Sequence, residues 1–292
     1  MKREDLSFVS SSDGLRVAYY RWPAAAGANA IVQIAHGLGE HALRYAQVAE
    51  FLNRAGFHVY ANDHRGHGRT APAPEAYGDF GAPGWAGVVA DLAELTRIAQ
   101  ARDRGLPVIL LGHSMGSFAA QDYLLTHGNL IKGCVLSGSA APDLIAHLIE
   151  QVGAGGLESL NTPFEPARTP FDWLSRDPAE VDAYVADPAC GFSLNDRSRE
   201  SAKAAWERVS DTSALAKIRR DLPIYILAGD ADPVNQSLEF LKPVAERYRA
   251  AGLDDISEKY YPAGRHEMFN EINRDEVLRD LLGWLRRVIP QR

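Results

Sequence analysis

The stretch from Pro107 to Ser117 restricts the possible folds more than any other part of the sequence. An apolar run there leads into Gly112-His-Ser-Met-Gly116, and a helix-like segment follows at once. A buried strand that feeds a helix through Gly-x-Ser-x-Gly is the setting of a nucleophile elbow, in which a strained turn holds a serine oxygen clear of the sheet. Glycine at the two outer positions removes side chains that would collide with the neighbouring strand and helix. We therefore predict Ser114 as a nucleophile, with the N–H groups of the following helix directed at the reaction centre.

Strand-length apolar runs alternate with amphipathic, helix-length segments along most of the chain. The predicted strands are residues 30–35, 57–61, 108–111, 131–137, 222–229 and 256–261, after a hairpin of residues 7–11 and 15–22, and the predicted helices include residues 85–104 and 236–251. This alternation indicates an α/β fold with a mostly parallel sheet and helices on both faces. Ligands of such sheets bind beyond the carboxyl ends of the strands. Polar residues that follow several strands are therefore expected on one rim.

The alternation of strands and helices is interrupted between Ala141 and Ala216, where only short helical patterns and Pro-containing turns occur. A chain of 292 residues, 46% of them hydrophobic, is long enough for one α/β domain with an insertion. We therefore expect a core domain of residues 1–140 and 217–292 and an inserted helical cap of residues 141–216.

Charge and composition argue against several classes of function. A net charge of −7 argues against a nucleic-acid surface. No apolar run is long enough to span a membrane, and the N-terminus lacks the apolar stretch of a signal peptide, so a cytoplasmic protein is expected. Cys134 and Cys190, the two cysteines, fit neither a disulfide framework nor a zinc cluster. Neither a metal nor an organic cofactor is expected.

A serine hydroxyl needs a base to take its proton, and in the elbow topology the acid and then the histidine follow the serine in the chain. Three histidines follow Ser114. His127 ends the elbow helix about three turns away, too far at roughly 1.5 Å per residue. His147 lies in the inserted segment among apolar neighbours. His266 alone lies on a loop after a strand, so we predict it as the general base.

The acid is predicted in Gly229-Asp-Ala-Asp-Pro233, at the end of the preceding predicted strand. A carboxylate there would fix the tautomer of the histidine and stabilise the imidazolium that forms during catalysis. Asp230 and Asp232 both qualify, and spacing does not separate them. One of the two is expected to cap the turn before Pro233.

A glycine-flanked loop, His36-Gly-Leu-Gly39, follows a central predicted strand. The loop allows the Leu38 N–H to turn inward, where it would hold the oxyanion of a tetrahedral intermediate together with the Met115 N–H. Each such donor contributes about 3 kcal/mol. His36 itself is expected to be structural and to form hydrogen bonds within the loop.

Five motifs, in this order, resemble the monoglyceride lipase and lysophospholipase branch of the α/β-hydrolase superfamily. They are His36–His41, Asp63–Gly68, Gly112–Gly116, Gly229–Asp232 and Gly264–Glu267, and residues 171–177 together with 187–192 resemble the cap of bacterial members. The resemblance covers nearly the whole chain. It implies an α/β-hydrolase fold with a helical cap, and a serine hydrolase that cleaves monoacylglycerol, lysophospholipid or similar acyl esters through an acyl-enzyme intermediate.

The resemblance also implies roles for individual residues. It implies Ser114, Asp232 and His266 as the catalytic triad, because the acid of the family falls three residues after this glycine, and Leu38 and Met115 as the oxyanion donors. Glu40 and Arg44 match polar positions near the alcohol site of the family, although a salt bridge that braces the oxyanion loop is an alternative role for them. The chain departs from its relatives at Ser117, where they often carry glycine, and at Phe269, where mammalian monoglyceride lipases carry a second histidine.

The predicted cap begins with an apolar face at i, i+4 spacing that includes Leu144, Ile145 and Leu148, and Trp173 follows. Such a face ordinarily seats a cap on its core. We expect these four residues also to bind substrate by lining an acyl channel above Ser114.

Two alternative functions remain open at this point. An aminopeptidase or amidase of the same fold would need acidic cap residues that hold the substrate amine, and Glu150, Glu158 or Glu165 would serve. A non-catalytic ligand-binding protein on this fold would normally have a broken triad.

Overall fold

The computed structural model describes residues 2–25, 27–152 and 156–289. Its eight strands form one sheet in the order β1-β2-β4-β3-β5-β6-β7-β8. The strands are β1 (Glu4–Val9), β2 (Arg16–Trp22), β3 (Ala30–Ala35), β4 (Phe57–Asn62), β5 (Val108–His113), β6 (Gly133–Ser137), β7 (Ile224–Gly229) and β8 (Ile256–Tyr261). Strand β2 pairs antiparallel with both β1 and β4, and the other five pairs are parallel. The predicted fold class is therefore confirmed.

Helices connect the parallel strands and cover both faces of the sheet. They are α1 (Ala46–Arg54), α2 (Gly84–Arg102), α3 (Met115–His127), α4 (Pro142–Val152), α5 (Pro178–Ala186), α6 (Asp196–Trp206), α7 (Thr212–Leu215), α8 (Lys242–Ala250) and α9 (Arg274–Val288). Helices α4 to α7 all lie between β6 and β7, and the described residues of that segment form no strand. Across the described ranges, no helix is both long and apolar enough to cross a bilayer.

The side chains of the central strands alternate between two apolar clusters, one on each face of the sheet. Along β5, Leu110 packs into the cluster that contains residues of α2, α3 and α8, whereas Ile109 and Leu111 pack into the cluster with residues of α1 and α9. Every residue of β5 is buried. A strand buried on both faces reads as a continuous apolar run, which is why the sequence marks it so clearly.

The predicted helix over residues 236–251 is wrong at its beginning, because α8 starts only at Lys242. Gln236, Ser237 and Leu238 have positive φ angles of 49°, 52° and 76°. A right-handed helix cannot include such residues. The side chain of Asn235 accepts a hydrogen bond from the Leu238 N–H at 2.7 Å and so holds this irregular turn, which directly follows the predicted acid.

Candidate active site

Ser114 occupies a strained turn between β5 and α3, with φ of 51° and ψ of −123°. A residue with a side chain adopts such angles only where the surroundings enforce them. The Ser114 N–H donates to the Ser137 carbonyl at 2.9 Å, and the Ser114 carbonyl accepts from the Ser117 N–H at 2.8 Å. A Cβ atom at Gly116 would collide with the Ala35 carbonyl oxygen of β3. The strand and helix therefore approach closely enough to hold the serine in this conformation.

Ser117, the departure from the family pattern, is accommodated in α3. Its hydroxyl donates to the Ser114 carbonyl at 2.6 Å and lies 2.7 Å from the Ser139 hydroxyl. The extra hydroxyl therefore fastens the elbow to the loop after β6. Phe269, the second departure, is buried and packs in the apolar cluster with α9.

The imidazole of His266 is bonded to a carboxylate on the neighbouring loop. His266 follows β8, and its Nδ1 lies 2.9 Å from Oδ2 of Asp232. Both side chains are buried. The other oxygen of Asp232 accepts from the Val234 N–H at 2.8 Å, and Asn235 donates to Oδ2 at 3.3 Å. These bonds fix the orientation of the carboxylate, and sequence reasoning missed the part played by Asn235.

The other candidate acid is directed elsewhere. Asp230 accepts a hydrogen bond from the Ala263 N–H at 2.7 Å and pins the turn after β8. Neither of the other two candidate bases is among the described residues that line the cavity with Ser114, since His127 ends α3 and His147 is exposed on α4. Of the two candidate acids, the structure thus places Asp232, and not Asp230, in contact with His266.

The surroundings of His266 favour its charged form. Burial lowers the pKa of His266, but the charge and hydrogen bond of Asp232, with further contributions from Glu267 and Glu40, raise it overall above its ordinary value. The ring lies between two others, with its centroid 4.7 Å from that of His113 and 5.0 Å from that of Trp173. Burial lowers the pKa of His113 to about 3, so this neighbour stays neutral.

Ser114 and His266 line the same cavity, which has a volume of about 470 Å³. Most of the lining is apolar and comes from the oxyanion loop, the elbow and the segment between β6 and β7. Of the predicted site residues, the lining includes Leu38, Met115, Glu40, Ile145, Leu148 and Trp173. Leu144, one helical position from Ile145, is not among the lining residues and packs against the main apolar cluster, so its role in binding substrate stays a prediction.

The loop His36–Gly39, predicted to bind the oxyanion and called the oxyanion loop for that reason, is held by the two buried histidines His36 and His64. Nε2 of His36 accepts a hydrogen bond from the His64 N–H at 2.9 Å, so the ring proton is on Nδ1, which donates to the Gly37 carbonyl at 2.8 Å. In a trans peptide the N–H points away from the C=O, so this bond turns the Leu38 N–H in the opposite direction. Within the described residues, the Leu38 and Met115 N–H groups donate to no protein acceptor. Both are therefore available to a ligand.

Glu40 and Arg44 belong to a buried ionic network beneath the same loop. Glu40 accepts from the Gly37 N–H at 2.5 Å and from the Tyr45 hydroxyl at 2.8 Å, and Arg44 donates to it at 2.9 Å. Arg44 also forms a two-pronged pair with Glu267, with one bond of 2.8 Å and a shorter one. The positive charge of Arg44 lowers the pKa of Glu267 despite its burial.

Arg44 belongs to this network and is not among the cavity-lining residues, so its role in binding substrate stays a prediction. Glu40 reaches the cavity, but its oxygens are occupied by the loop and by Arg44. The structure thus supports the alternative of a salt bridge that braces the oxyanion loop. Sequence reasoning missed Glu267, because its partner lies 223 residues away in the chain.

The segment before α5 is joined to the loop that carries His266. The Glu267 N–H donates to the Leu174 carbonyl at 2.8 Å, and the His266 N–H donates to the Trp173 carbonyl at 3.4 Å. Buried Glu271 accepts from the side chain of Arg176 at 2.9 Å and from the Arg265 N–H at 3.0 Å. This part of the inserted segment therefore helps to position the histidine loop.

Comparison with known proteins gives consistent matches over nearly the whole chain. Residues 26–273 match the model of the family described as "Serine aminopeptidase, S33". The chain is 32% identical to the monoacylglycerol lipase of Mycolicibacterium smegmatis, with 97% of each chain covered. It is 28% identical to the monoglyceride lipase of Rattus norvegicus, covering 97% of this chain and 90% of the relative. A carboxyl esterase from Bacillus coagulans, solved in complex with glycerol, superimposes with a TM-score of 0.87 at 32% identity over 99% of each chain.

Proposed function

The chain belongs to the serine aminopeptidase family of α/β-hydrolases, and from that premise we propose that it cleaves acyl esters with Ser114, His266 and Asp232 as its catalytic triad. It is a carboxylic ester hydrolase, as its monoacylglycerol lipase relative and its esterase neighbour are. One observation supports the triad most strongly. An imidazole bonded to a buried carboxylate lines the same cavity as a serine held in a strained elbow.

In the proposed reaction, Nε2 of His266 takes the proton of the Ser114 hydroxyl as the oxygen attacks the ester carbonyl. The N–H groups of Leu38 and Met115 bind the oxyanion of the tetrahedral intermediate. His266 then gives its proton to the alcohol as the carbon–oxygen bond breaks, which leaves an acyl-enzyme. A water molecule, deprotonated by the same imidazole, releases the carboxylic acid. Asp232 holds the imidazole in the required tautomer and stabilises its charge.

The lining of the cavity supports an acyl ester as substrate. The apolar side chains that surround Ser114 include Met115, Phe118, Ile145, Leu148, Ile149, Leu160 and Trp206. A fatty acyl chain buried there would gain about 0.8 kcal/mol for each methylene removed from water. Monoacylglycerols, lysophospholipids and similar single-chain esters fit this chemistry. We further propose residues 141–216 as a cap, because α4 and α6 contribute much of this lining.

The aminopeptidase alternative would need a carboxylate free to bind a substrate ammonium. None of Glu150, Glu158 and Glu165 is among the described residues that line the cavity. Glu150 pairs with Lys203 at 3.3 Å, and Glu165 accepts from the Ala167 N–H at 2.9 Å. The two glutamates that do line the cavity are both bonded to Arg44. These contacts favour the ester substrate over the amine.

A substrate panel tests this proposal. Purified enzyme is assayed on p-nitrophenyl esters from acetyl to palmitoyl, on monoacylglycerols, on lysophospholipids and on aminoacyl amides. We expect octanoyl and longer esters to exceed acetyl in kcat/KM, and the amides to react slowly. Ser114→Ala serves as the matched inactive control. A strong preference for acetyl, or faster cleavage of the amides, would contradict the proposed substrate class.

A further inference from the structure

A second group of reactive side chains lies where the oxyanion loop meets the inserted segment. His41 ends the loop that carries Leu38, and Asp187 and Cys190 follow α5. One ligand atom from each side chain lies within 4.8 Å of the other two. Nε2 of His41 is 2.9 Å from Oδ2 of Asp187. None of the three side chains is among the described residues that line the cavity, and the proposed ester chemistry does not use them.

We propose that His41, Asp187 and Cys190 bind a divalent cation of the zinc type. An imidazole nitrogen, a carboxylate oxygen and a thiolate sulfur are all ligands of Zn²⁺, at roughly 2.0–2.3 Å from the metal. Ligand atoms around a tetrahedral ion therefore lie roughly 3.3–3.7 Å from one another. The observed spacing reaches this arrangement with small side-chain movements. The fourth position would be left to water.

The backbone around the three residues is organised in advance. Oδ1 of Asp187, the carboxylate oxygen that does not contact His41, accepts a hydrogen bond from the Ala189 N–H at 2.8 Å. The Cys190 N–H donates to the Asp187 main-chain carbonyl at 3.0 Å. These bonds form a tight turn that directs both residues to the same side. The Gly191 N–H donates to the Gly39 carbonyl at 2.9 Å, which fastens this turn to the loop that carries His41. A metal would therefore bind where backbone hydrogen bonds already hold the two segments together.

Access and charge also suit a cation. The side chains of His41 and Asp187 are 14% and 33% exposed, so an ion can reach them from solvent. Burial raises the pKa of the Cys190 thiol, and the positive charge of Arg44, which Glu40 and Glu267 balance, offsets this only in part. Arg44 is one positive charge against the two carboxylates Glu40 and Glu267, and Asp187 adds a further negative charge, so the surroundings of the three side chains are negative overall. Binding would release the thiol proton to solvent as the sulfur–metal bond forms.

The simpler interpretation is an ion pair between His41 and Asp187 beside an unreactive thiol. The two interpretations differ in one property, which is whether the sulfur binds metal together with the other two side chains. Two cysteines are too few for a zinc cluster made of cysteines, whereas this site needs one cysteine, an aspartate three positions before it and a histidine 146 residues before that aspartate. The inference does not depend on the proposed ester hydrolysis.

Cobalt titration of the intact enzyme tests the inference. We expect Co²⁺ to bind at one equivalent with a thiolate-to-cobalt charge-transfer band, and Zn²⁺ to displace it. Cys190→Ser should abolish the band, while Cys134→Ala, the matched variant of the other cysteine, should retain it. His41→Gln and Asp187→Asn should each weaken binding at least tenfold, because losing even an outer-shell partner of a ligand typically costs 10–100-fold in metal affinity.

Two results would overturn the inference. One is no charge-transfer band in the wild-type enzyme at a large excess of Co²⁺. The other is a band that Asp187→Asn and His41→Gln leave at unchanged affinity, since a solitary thiol would behave in that way. Asp187→Asn preserves size and hydrogen bonding, so it keeps the test valid even where Cys190→Ser fails to fold. Near-ultraviolet circular dichroism of each variant checks the fold independently.

Discussion

The ion pair between Arg44 and Glu267 gives the sharpest test of how the oxyanion loop is supported. Glu267→Gln keeps the shape of the side chain and removes its charge. Arg44, 10% exposed, would then have Glu40 as its remaining carboxylate partner. Breaking a buried pair costs about 3–5 kcal/mol when a charge is left uncompensated, and we expect the lower end, about 3 kcal/mol, because Glu40 still balances Arg44. For a chain of 292 residues, that loss corresponds to a decrease in Tm of about 5 °C.

Thermal unfolding of the wild type and Glu267→Gln at one pH measures this loss. Glu50→Gln, at an exposed position of α1, is the matched control and should shift Tm by less than about 1 °C. The double variant with Arg44→Met should be less stable still, because it leaves the buried carboxylate of Glu40 without a cationic partner. A Tm for Glu267→Gln within error of the wild type would refute the view that this pair braces the loop. Activity should fall as well, since Glu40 accepts a hydrogen bond from the Gly37 N–H, next to Leu38, the predicted oxyanion donor.

Three further predictions follow from the buried titratable groups. Asp232→Asn should lower kcat by about 10⁴-fold, whereas Asp230→Asn should change it only a few-fold, and equal losses would contradict the assignment of the acid. The kcat/KM should fall as the pH drops through the raised pKa of His266, above 6.5, because the protonated ring cannot accept the serine proton. A profile that stays flat through that region would count against His266 as base. Burial lowers the pKa of His64 to about 3 and that of His67 to about 4, so the unfolded chain binds more protons below pH 6.5. Stability should therefore decrease as the pH falls from about 6.5 toward 4, and a urea midpoint that does not change over this range would contradict the argument.

The positions of the parallel strands could be predicted well, because a strand buried on both faces of a sheet consists of a continuous run of apolar residues. The bounds of β3 and β8 were predicted to the residue. The beginning of α8 could not be predicted in the same way. Residues 236–238 have a helical sequence pattern, but Asn235 holds them in left-handed conformations just before α8. Local propensity was overridden there by a side-chain hydrogen bond to the backbone.

Candidate site residues that follow strands were located correctly on one rim, because the geometry of a parallel sheet brings strand ends together. The choice between Asp230 and Asp232 depended on orientations that spacing does not contain. The positions of Leu144 and Arg44 outside the cavity lining depend on how helices pack, which a periodic pattern does not specify. Glu267 and Asp187 acquire their partners only through tertiary contacts across more than a hundred residues.

Covalent labelling by a fluorophosphonate tests the central claim most directly, because the probe reacts only with a serine that is activated in the folded protein. We predict one adduct for each chain, located by mass spectrometry on Ser114, absent in Ser114→Ala and much slower to form in His266→Gln. Either no adduct on the folded enzyme or labelling at wild-type rate in His266→Gln would contradict the account.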